Sequence, residues 1–239
     1  MRYSLIIPAY NEQQLLPRLL DSIDIARAAY GSPESIEVIV ADNMSTDLTT
    51  EVATARGCRV AKIEKRVIAA ARNGGAAIAR GEIVAFIDAD SQVHPQTFIE
   101  IDRALANERV IAGATGVTLD RWSVGIALTY VTFLPMVWMS GMDAGVVFCR
   151  KADFDAMGGY DETRLIAEDV AFLWSLRRLG KTRGQRLIRA TRAKAIASTR
   201  KFDEFGDWHY FPLMIEGLRH LLRRGDGDLT DRYWYKPKR

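Results

Sequence analysis

The first half of the chain alternates two patterns. Short runs rich in β-branched residues occur at Ser4–Pro8, Ile36–Asp42, Arg59–Ile63 and Ile83–Asp88. Each is followed by a stretch whose apolar positions recur at helical spacing, which predicts helices over Gln13–Ala29, Thr46–Arg56, Val67–Arg80 and Pro95–Ala106. Strand and helix in strict succession imply parallel strands joined by crossover helices, hence an α/β layered fold. Ser45, Thr46 and Asp47 supply the oxygen acceptors that favour the start of the second helix.

Beyond residue 110 the pattern changes. Val110–Val117 and Ala144–Cys149 read as strands flanking Trp122–Met142, a block without a charged side chain that is about long enough to cross a bilayer. Its Ser, Thr, Pro and Gly content, with a mean hydropathy of −0.08 for the whole chain, favours a buried or interfacial helix, with Trp122, Trp138 and Met139 as core residues. A helix over Phe154–Tyr160 ends in a Gly158-Gly159 turn, and Glu168–Leu179 reads as a helix opened by two acids, where the dipole favours them.

The 239 residues, 48% hydrophobic and 26% charged, suit one compact domain and exclude disorder as the main theme. Cys58 and Cys149 form no CxxC pair, so neither a disulfide framework nor a thiolate zinc site is expected, and a reducing cytoplasm fits. Within Met1–Gln13, Tyr3–Pro8 reads as a first strand, and the short apolar run interrupted by Pro8 does not suit a secretory leader. The net charge of +3 conceals an asymmetry: residues 1–176 hold 16 basic and 23 acidic side chains, residues 177–239 hold 17 and 7. Arg177–Lys201 contains ten Lys or Arg and no acid. Such a run is either a solvated face or a surface for anionic lipid, an anionic acceptor or a diphosphate. Nucleic acid is not expected, because no aromatic residues interleave with the cations.

In an open α/β sheet, polar residues just past the carboxyl ends of parallel strands converge on the ligand. That rule selects Ala9-Tyr10-Asn11-Glu12, Asp42-Asn43, Asn73-Gly74-Gly75 and Asp88-Ala89-Asp90. Asp88 and Asp90 would repel each other unless a cation lay between them. A hard divalent ion, Mn²⁺ or Mg²⁺, shared with a diphosphate is the economical explanation, although a helix cap beside a solvated acid would also account for the pair.

Taken together, IIPAYNE at 6–12, VADNMSTDLT at 40–49, ARNGGAAIARGEIVAFIDAD at 71–90, MGGYDE at 157–162 and ED at 168–169 resemble the family 2 glycosyltransferases. The resemblance spans residues 3–180 and implies a GT-A fold: a Rossmann-like, mostly parallel sheet flanked by helices, with a C-terminal acceptor-side portion. It implies a nucleotide-sugar-binding half, 1–118, and an acceptor-binding half with a basic C-terminal segment, 119–239, of one domain. Pro8, Ala9, Tyr10 and Glu12 would cradle the nucleoside. Asp42 would accept a hydrogen bond from a ring N–H, which suits UDP or GDP and not a cytidine nucleotide. Arg72 and Asn73 would approach base and phosphates, with Arg66 within reach of the diphosphate.

By the same resemblance Asp88, Ala89 and Asp90 form the DxD motif, Asp90 being the direct ligand of Mn²⁺ or Mg²⁺, and His209 a candidate third ligand. Arg200 or Lys201 would also contact diphosphate. Asp169 is the expected general base of an inverting transfer to a hydroxyl or lipid phosphate, supported by Glu168 through hydrogen bonds. Gly158 to Asp161 would carry the chain to that base and Asp143 would line the acceptor pocket, while His94 belongs to a helix start. The uncharged block, the cationic run and the Trp234-Tyr235 tail suggest a lipid-linked acceptor and peripheral contact with an anionic membrane at its cytoplasmic face. A nucleotidyltransferase would need a glycine-rich basic loop after the first strand, and a dinucleotide oxidoreductase a GxGxxG; IPAYNE offers neither. A non-catalytic nucleotide-sugar-binding protein is the remaining alternative. Two departures from the family's common pattern stand out: Ala41 for a β-branched residue, and Asn43-Met44 for Asp-Gly.

Overall fold

The computed structural model describes residues 1–140, 145–164 and 168–208, with only the backbone described over 133–140. Its first elements are β1 (Tyr3–Ala9), α1 (Leu16–Tyr30), β2 (Ile36–Asp42), α2 (Thr49–Ala55), β3 (Arg59–Lys62) and α3 (Ile68–Ala77). Then come β4 (Ile83–Phe86), β5 (Ser91–Gln92), α4 (Thr97–Leu105), β6 (Val110–Ala114), β7 (Val117–Leu119) and α5 (Val124–Ser140). Last are β8 (Val147–Arg150), α6 (Lys151–Met157), α7 (Glu168–Thr182), β9 (Arg186–Arg189), β10 (Ala195–Ala197) and α8 (Arg200–Phe205).

Seven strands form the main sheet in the order β3-β2-β1-β4-β8-β6-β9. β3, β2, β1 and β4 run parallel, β8 is antiparallel to both its neighbours, and β6 is parallel to β9. The mixed, mostly parallel sheet with helices on both faces is the α/β layering that the sequence predicts. A smaller sheet has the order β5-β10-β7.

Alternation along the strands divides the core in two. Leu5, Ile7, Val38, Val40, Ile83 and Ala85 pack with Leu16, Leu19 and Phe98 on one face, whereas Ile6, Ile39, Val84 and Phe86 pack with Phe154, Tyr160 and Phe172 on the other. β1 pairs with β4 only over Tyr3–Ile6, yet it pairs with β2 as far as Ala9–Asp42. Pro8, which carries no N–H, lies in the stretch that β4 no longer accompanies. The sheet therefore opens between β1 and β4, the point at which strand order reverses direction.

The chain divides by contacts into two compact units, Met1–Thr118 with Ser140–Ala197, and Leu119–Met139 with Ser198–Arg239. The units interleave in sequence, because the chain leaves the first unit at Leu119 and returns at Ser140. In the second unit Asp120 accepts hydrogen bonds from the Thr199 N–H and hydroxyl, and Arg121 pairs with Asp203 and Asp207. The uncharged block forms α5, and no helix among the described residues is long and apolar enough to cross a membrane.

Several boundaries differ from expectation. Val110–Val117 is two strands, broken at Thr115-Gly116, where Gly116 adopts φ 76°. α6 begins at Lys151 and stops at Met157, capped by left-handed Gly158. α7 continues to Thr182. β5, β9, β10 and α8 were not anticipated; β9 reads RLIR and lies inside the cationic run, where charge hides the alternation. Trp122 is exposed rather than core, with Tyr130 edge-on to its ring at 5.4 Å. The side chains of Trp138 and Met139, together with Asp143, Ala144, His209, Trp234 and Tyr235, lie outside the described residues.

Met44 occupies the left-handed region at φ 65°, so the chain keeps a glycine-like turn without a glycine. Its side chain is half exposed and contributes little packing. Met44→Gly should raise the thermal midpoint, by the equivalent of about 1 kcal/mol. An unchanged or lowered midpoint would mean that the methionine side chain contributes more than its backbone costs.

Candidate active site

Three strand ends and the start of α7 bring the charged residues together within the first unit. After β1, Asn11 turns the chain at φ 55°, its N–H donating to Ser45 Oγ at 3.0 Å while its Oδ1 accepts from the Thr46 N–H at 2.8 Å. The Glu12 N–H donates to Thr49 Oγ1 at 2.8 Å. These bonds fasten the loop after β1 to the loop after β2. Pro8 and Ala9 are buried in β1 itself, and Tyr10 is half-buried at the mouth, where the Arg66 guanidinium stacks 4.3 Å from its ring centre.

Asp42 is buried, and both its oxygens are engaged: Oδ1 accepts from the Ser45 N–H at 2.9 Å and Oδ2 from Thr50 Oγ1 at 2.7 Å. Burial alone would raise its pKa; the hydrogen bonds from Ser45 and Thr50, helped by Lys62, prevail and hold the carboxyl below the usual range. Asp42 thus shapes the turn. Its neighbour Asn43 differs, being only 5% exposed and presenting a side-chain oxygen that no donor among the described residues satisfies. An unsatisfied buried acceptor costs about 1–3 kcal/mol, and the cost is recovered when a donor arrives.

Arg72 on α3 is the centre of the site. Its side chain is 4% exposed. Nη1 donates to Glu168 Oε1 at 2.7 Å, and Nη2 lies 2.9 Å from Asp88 Oδ1 and 3.0 Å from Asp169 Oδ2. One guanidinium therefore joins the first acid of the DxD pair to both acids of the ED pair, 96 residues further along than Arg72 in the case of Glu168. Burial would depress the guanidinium, but the charges of Asp169, Asp88 and Glu168 hold it well above its ordinary value. The Tyr160 ring covers it at 5.2 Å, and the Tyr160 hydroxyl donates to Asp169 Oδ1 at 3.1 Å.

Tyr160 is held in turn by stacking on Phe172 at 4.1 Å and by Phe86 edge-on at 5.1 Å. Asn73 fastens the preceding loop: its Nδ2 donates to the Tyr160 carbonyl at 2.9 Å and Glu162 Oε1 at 3.0 Å, and its Oδ1 accepts from the Tyr160 N–H at 2.8 Å. Gly159, at φ 78°, lies so close that an added Cβ would meet Asn73 Oδ1 at 2.5 Å. Asn73, expected to approach base and phosphates, has its amide engaged in holding this loop.

Burial pushes the Asp169 carboxyl up to about 6; Asp88 and Glu168 add to the shift, while Arg72 and the Tyr160 hydroxyl oppose it. Asp88 is 54% exposed and Asp90 half-buried, with Ala89 between them in the core. The described residues contain no group of three or more His, Cys, Asp or Glu suited to a metal. Two carboxylates suffice for Mn²⁺ or Mg²⁺ when substrate phosphates complete the shell, and Asp88 and Asp90 fit that requirement in donor type and exposure. His94 accepts the Gln96 N–H at the start of α4, as expected of a helix-start residue. Arg200 and Lys201 begin α8 in the second unit.

The profile of Glycosyl transferase family 2 matches residues 4–127, a little over half of the chain. The chain is 37% identical over 106 residues to a validoxylamine A glucosyltransferase of Streptomyces hygroscopicus subsp. limoneus, a match covering 39% of this chain and 21% of that protein. Among solved structures, a mannosyltransferase of Pyrobaculum calidifontis in complex with GDP-Man and Mn²⁺ superimposes with a TM-score of 0.65 at 20% identity, covering 96% of this chain and 66% of that one. Residues 1–349 of TarS from S. aureus in complex with UDP give 0.64 at 20% identity, covering 83% and 61%. The chain spans about a fifth of the length of the first of these relatives. It belongs to glycosyl transferase family 2 and has the GT-A fold.

Removing the Arg72 charge leaves three carboxylates facing one another. Arg72→Met should therefore cost about 3 kcal/mol of stability at pH 8. The loss should shrink toward pH 5, as the crowded acids, whose pKa values rise without the cation, take up protons. A pH-independent loss in denaturant titrations would assign the effect to packing instead.

Proposed function

We propose that the protein transfers a sugar from a UDP- or GDP-sugar to an acceptor hydroxyl or lipid phosphate, with inversion at the anomeric carbon and with Mn²⁺ or Mg²⁺ as cofactor. The observation that carries this is the single Arg72 nitrogen lying between Asp88 and Asp169, which puts a diphosphate-side acid and a base-side acid on either side of one charge. Asp88 and Asp90 would hold the cation, which when bound neutralises charge developing on the leaving diphosphate.

Each remaining role falls to a residue of the site. Tyr10 offers a ring face for the base, and the unsatisfied Asn43 oxygen an acceptor for a ring N–H, which uracil N3 and guanine N1 possess and cytosine N3 lacks. Asp169 takes the acceptor proton as the new C–O bond forms. Its raised pKa makes it a stronger base than an ordinary aspartate while leaving it ionised at pH 7.5. Tyr160 and Arg72 fix the direction of its oxygens. With Asp169 acting as a base toward the acceptor and not as a nucleophile, displacement is direct and the configuration inverts.

In the second unit Trp122, Val124, Leu128, Val131, Phe205 and Trp208 are exposed. An apolar surface of this kind supports a lipid-linked acceptor presented at the cytoplasmic face of a membrane.

UDP or GDP with Mn²⁺ should raise the thermal midpoint, and EDTA should abolish most of the rise. Asp90→Ala should weaken that metal-dependent stabilisation. No rise with any nucleoside diphosphate would exclude the donor assignment.

Asp169→Asn should lower transfer by about 10²-fold or more while donor stabilisation persists. In the wild type, kcat/KM should fall below about pH 6. Because the native carboxyl is raised above its unfolded value, ionisation of Asp169 works against the fold at pH 7.5, so the asparagine variant should melt no lower than the wild type. Equal loss of donor affinity in the Asp90 and Asp169 variants would contradict the separate roles.

A further inference from the structure

The cationic run is not evenly spread over the molecule. On α7, Trp174, Arg177, Arg178 and Lys181 follow one another at i, i+3, i+4 and i+7, and all four are exposed. The opposite face of the same helix, Phe172, Leu173 and Leu176, is buried against the sheet. Beside it β9, an outer strand of the main sheet, exposes Arg189 on the side of Leu187, which packs with the α7 core, whereas Arg186 is exposed on the other side with Ile188. From Val170 to Phe202 the chain has no Asp or Glu.

We infer that this face docks on an anionic bilayer, with lipid phosphates as the counter-ions of the α7 cations and Trp174 at headgroup depth. Like charges gathered on one helix face repel one another in water, and a surface dense in fixed anions relieves that repulsion at every position at once. Trp174 distinguishes a bilayer from a soluble polyanion: a large indole set among cations favours the boundary between headgroup and acyl chain, where ring and N–H are both accommodated. The consequence for catalysis rests on the proposed transferase reaction. α7 begins with Glu168 and Asp169, and Arg177 follows Asp169 by eight residues, about 12 Å along the axis. A helix anchored through Arg177, Arg178 and Lys181 would hold the base close above the headgroups, within reach of an acceptor tethered by a lipid.

The test is sedimentation of the full chain with phosphatidylglycerol-rich vesicles and with pure phosphatidylcholine vesicles, at low and high salt. The wild type should bind the anionic vesicles, lose most of that binding at high salt, and ignore the neutral ones. Arg177→Gln/Arg178→Gln/Lys181→Gln should weaken binding about a hundredfold, and Trp174→Ala should reduce what survives at high salt. Both variants should keep the wild-type thermal midpoint and its rise with UDP or GDP and Mn²⁺, which shows that the fold and donor site are intact.

Undiminished binding by the triple variant would overturn the proposal, as would equal binding to both vesicle types. So would removal from anionic vesicles by soluble polyphosphate together with indifference to Trp174→Ala, since that pattern describes a polyanion site. Vesicle binding in the predicted pattern without any donor stabilisation would support the docking face and contradict the catalytic assignment alone.

Discussion

The buried guanidinium of Arg72 holds in one place three carboxylates that electrostatics would otherwise drive apart. Two come from the start of α7 and one from the end of β4, so the contact joins the parallel half of the sheet to the helix that carries the proposed base. Burying a charged group is costly unless it is paired, and Arg72 offsets that cost through three anions at Nη1 and Nη2 and an overlying aromatic ring, although its buried Nε meets no acceptor among the described residues. The same arrangement leaves Asp169 with a raised pKa, because the burial that strengthens the ion pairs also penalises the fourth charge in the group.

Around this contact the fold supplies space on one side and rigidity on the other. The space comes from the early departure of β4 from β1, in a stretch where Pro8 offers no hydrogen for a ladder. The rigidity comes from Phe86, Phe154 and Tyr160, which pack against Phe172 of α7, and from Asn73, whose amide holds the Gly159-Tyr160 loop. Arg72 and Asn73 are adjacent in sequence and serve opposite ends of this arrangement: one organises charge, the other the loop that places the aromatic cover.

Much of this was legible in the sequence because parallel strands buried on both faces leave plain apolar runs, and because polar residues after such runs must gather at one edge. The β1, β2 and β4 ends are found in that way, and the ED pair through the family resemblance. The role of Arg72 was not legible: on a helix, periodicity alone cannot tell a buried cation from a surface one, and its partners lie far away in sequence. Asp42 and Asn43 illustrate the converse, since adjacency gave no means of telling the acid committed to its own turn from the amide left with a vacant acceptor. β9 was hidden by arginines on an outer strand, and Trp122 was placed in the core on hydrophobicity, which does not exclude exposure.

The most direct measurement is a crystal structure of the protein soaked with Mn²⁺ and an unreactive UDP- or GDP-sugar analogue. The account predicts the cation on the Asp88 and Asp90 carboxylates, the base against Tyr10 with a ring N–H on Asn43, and Asp169 facing the anomeric carbon from the side opposite the diphosphate. A ligand bound elsewhere, or bound there with Asp169 turned away from the sugar, would contradict it.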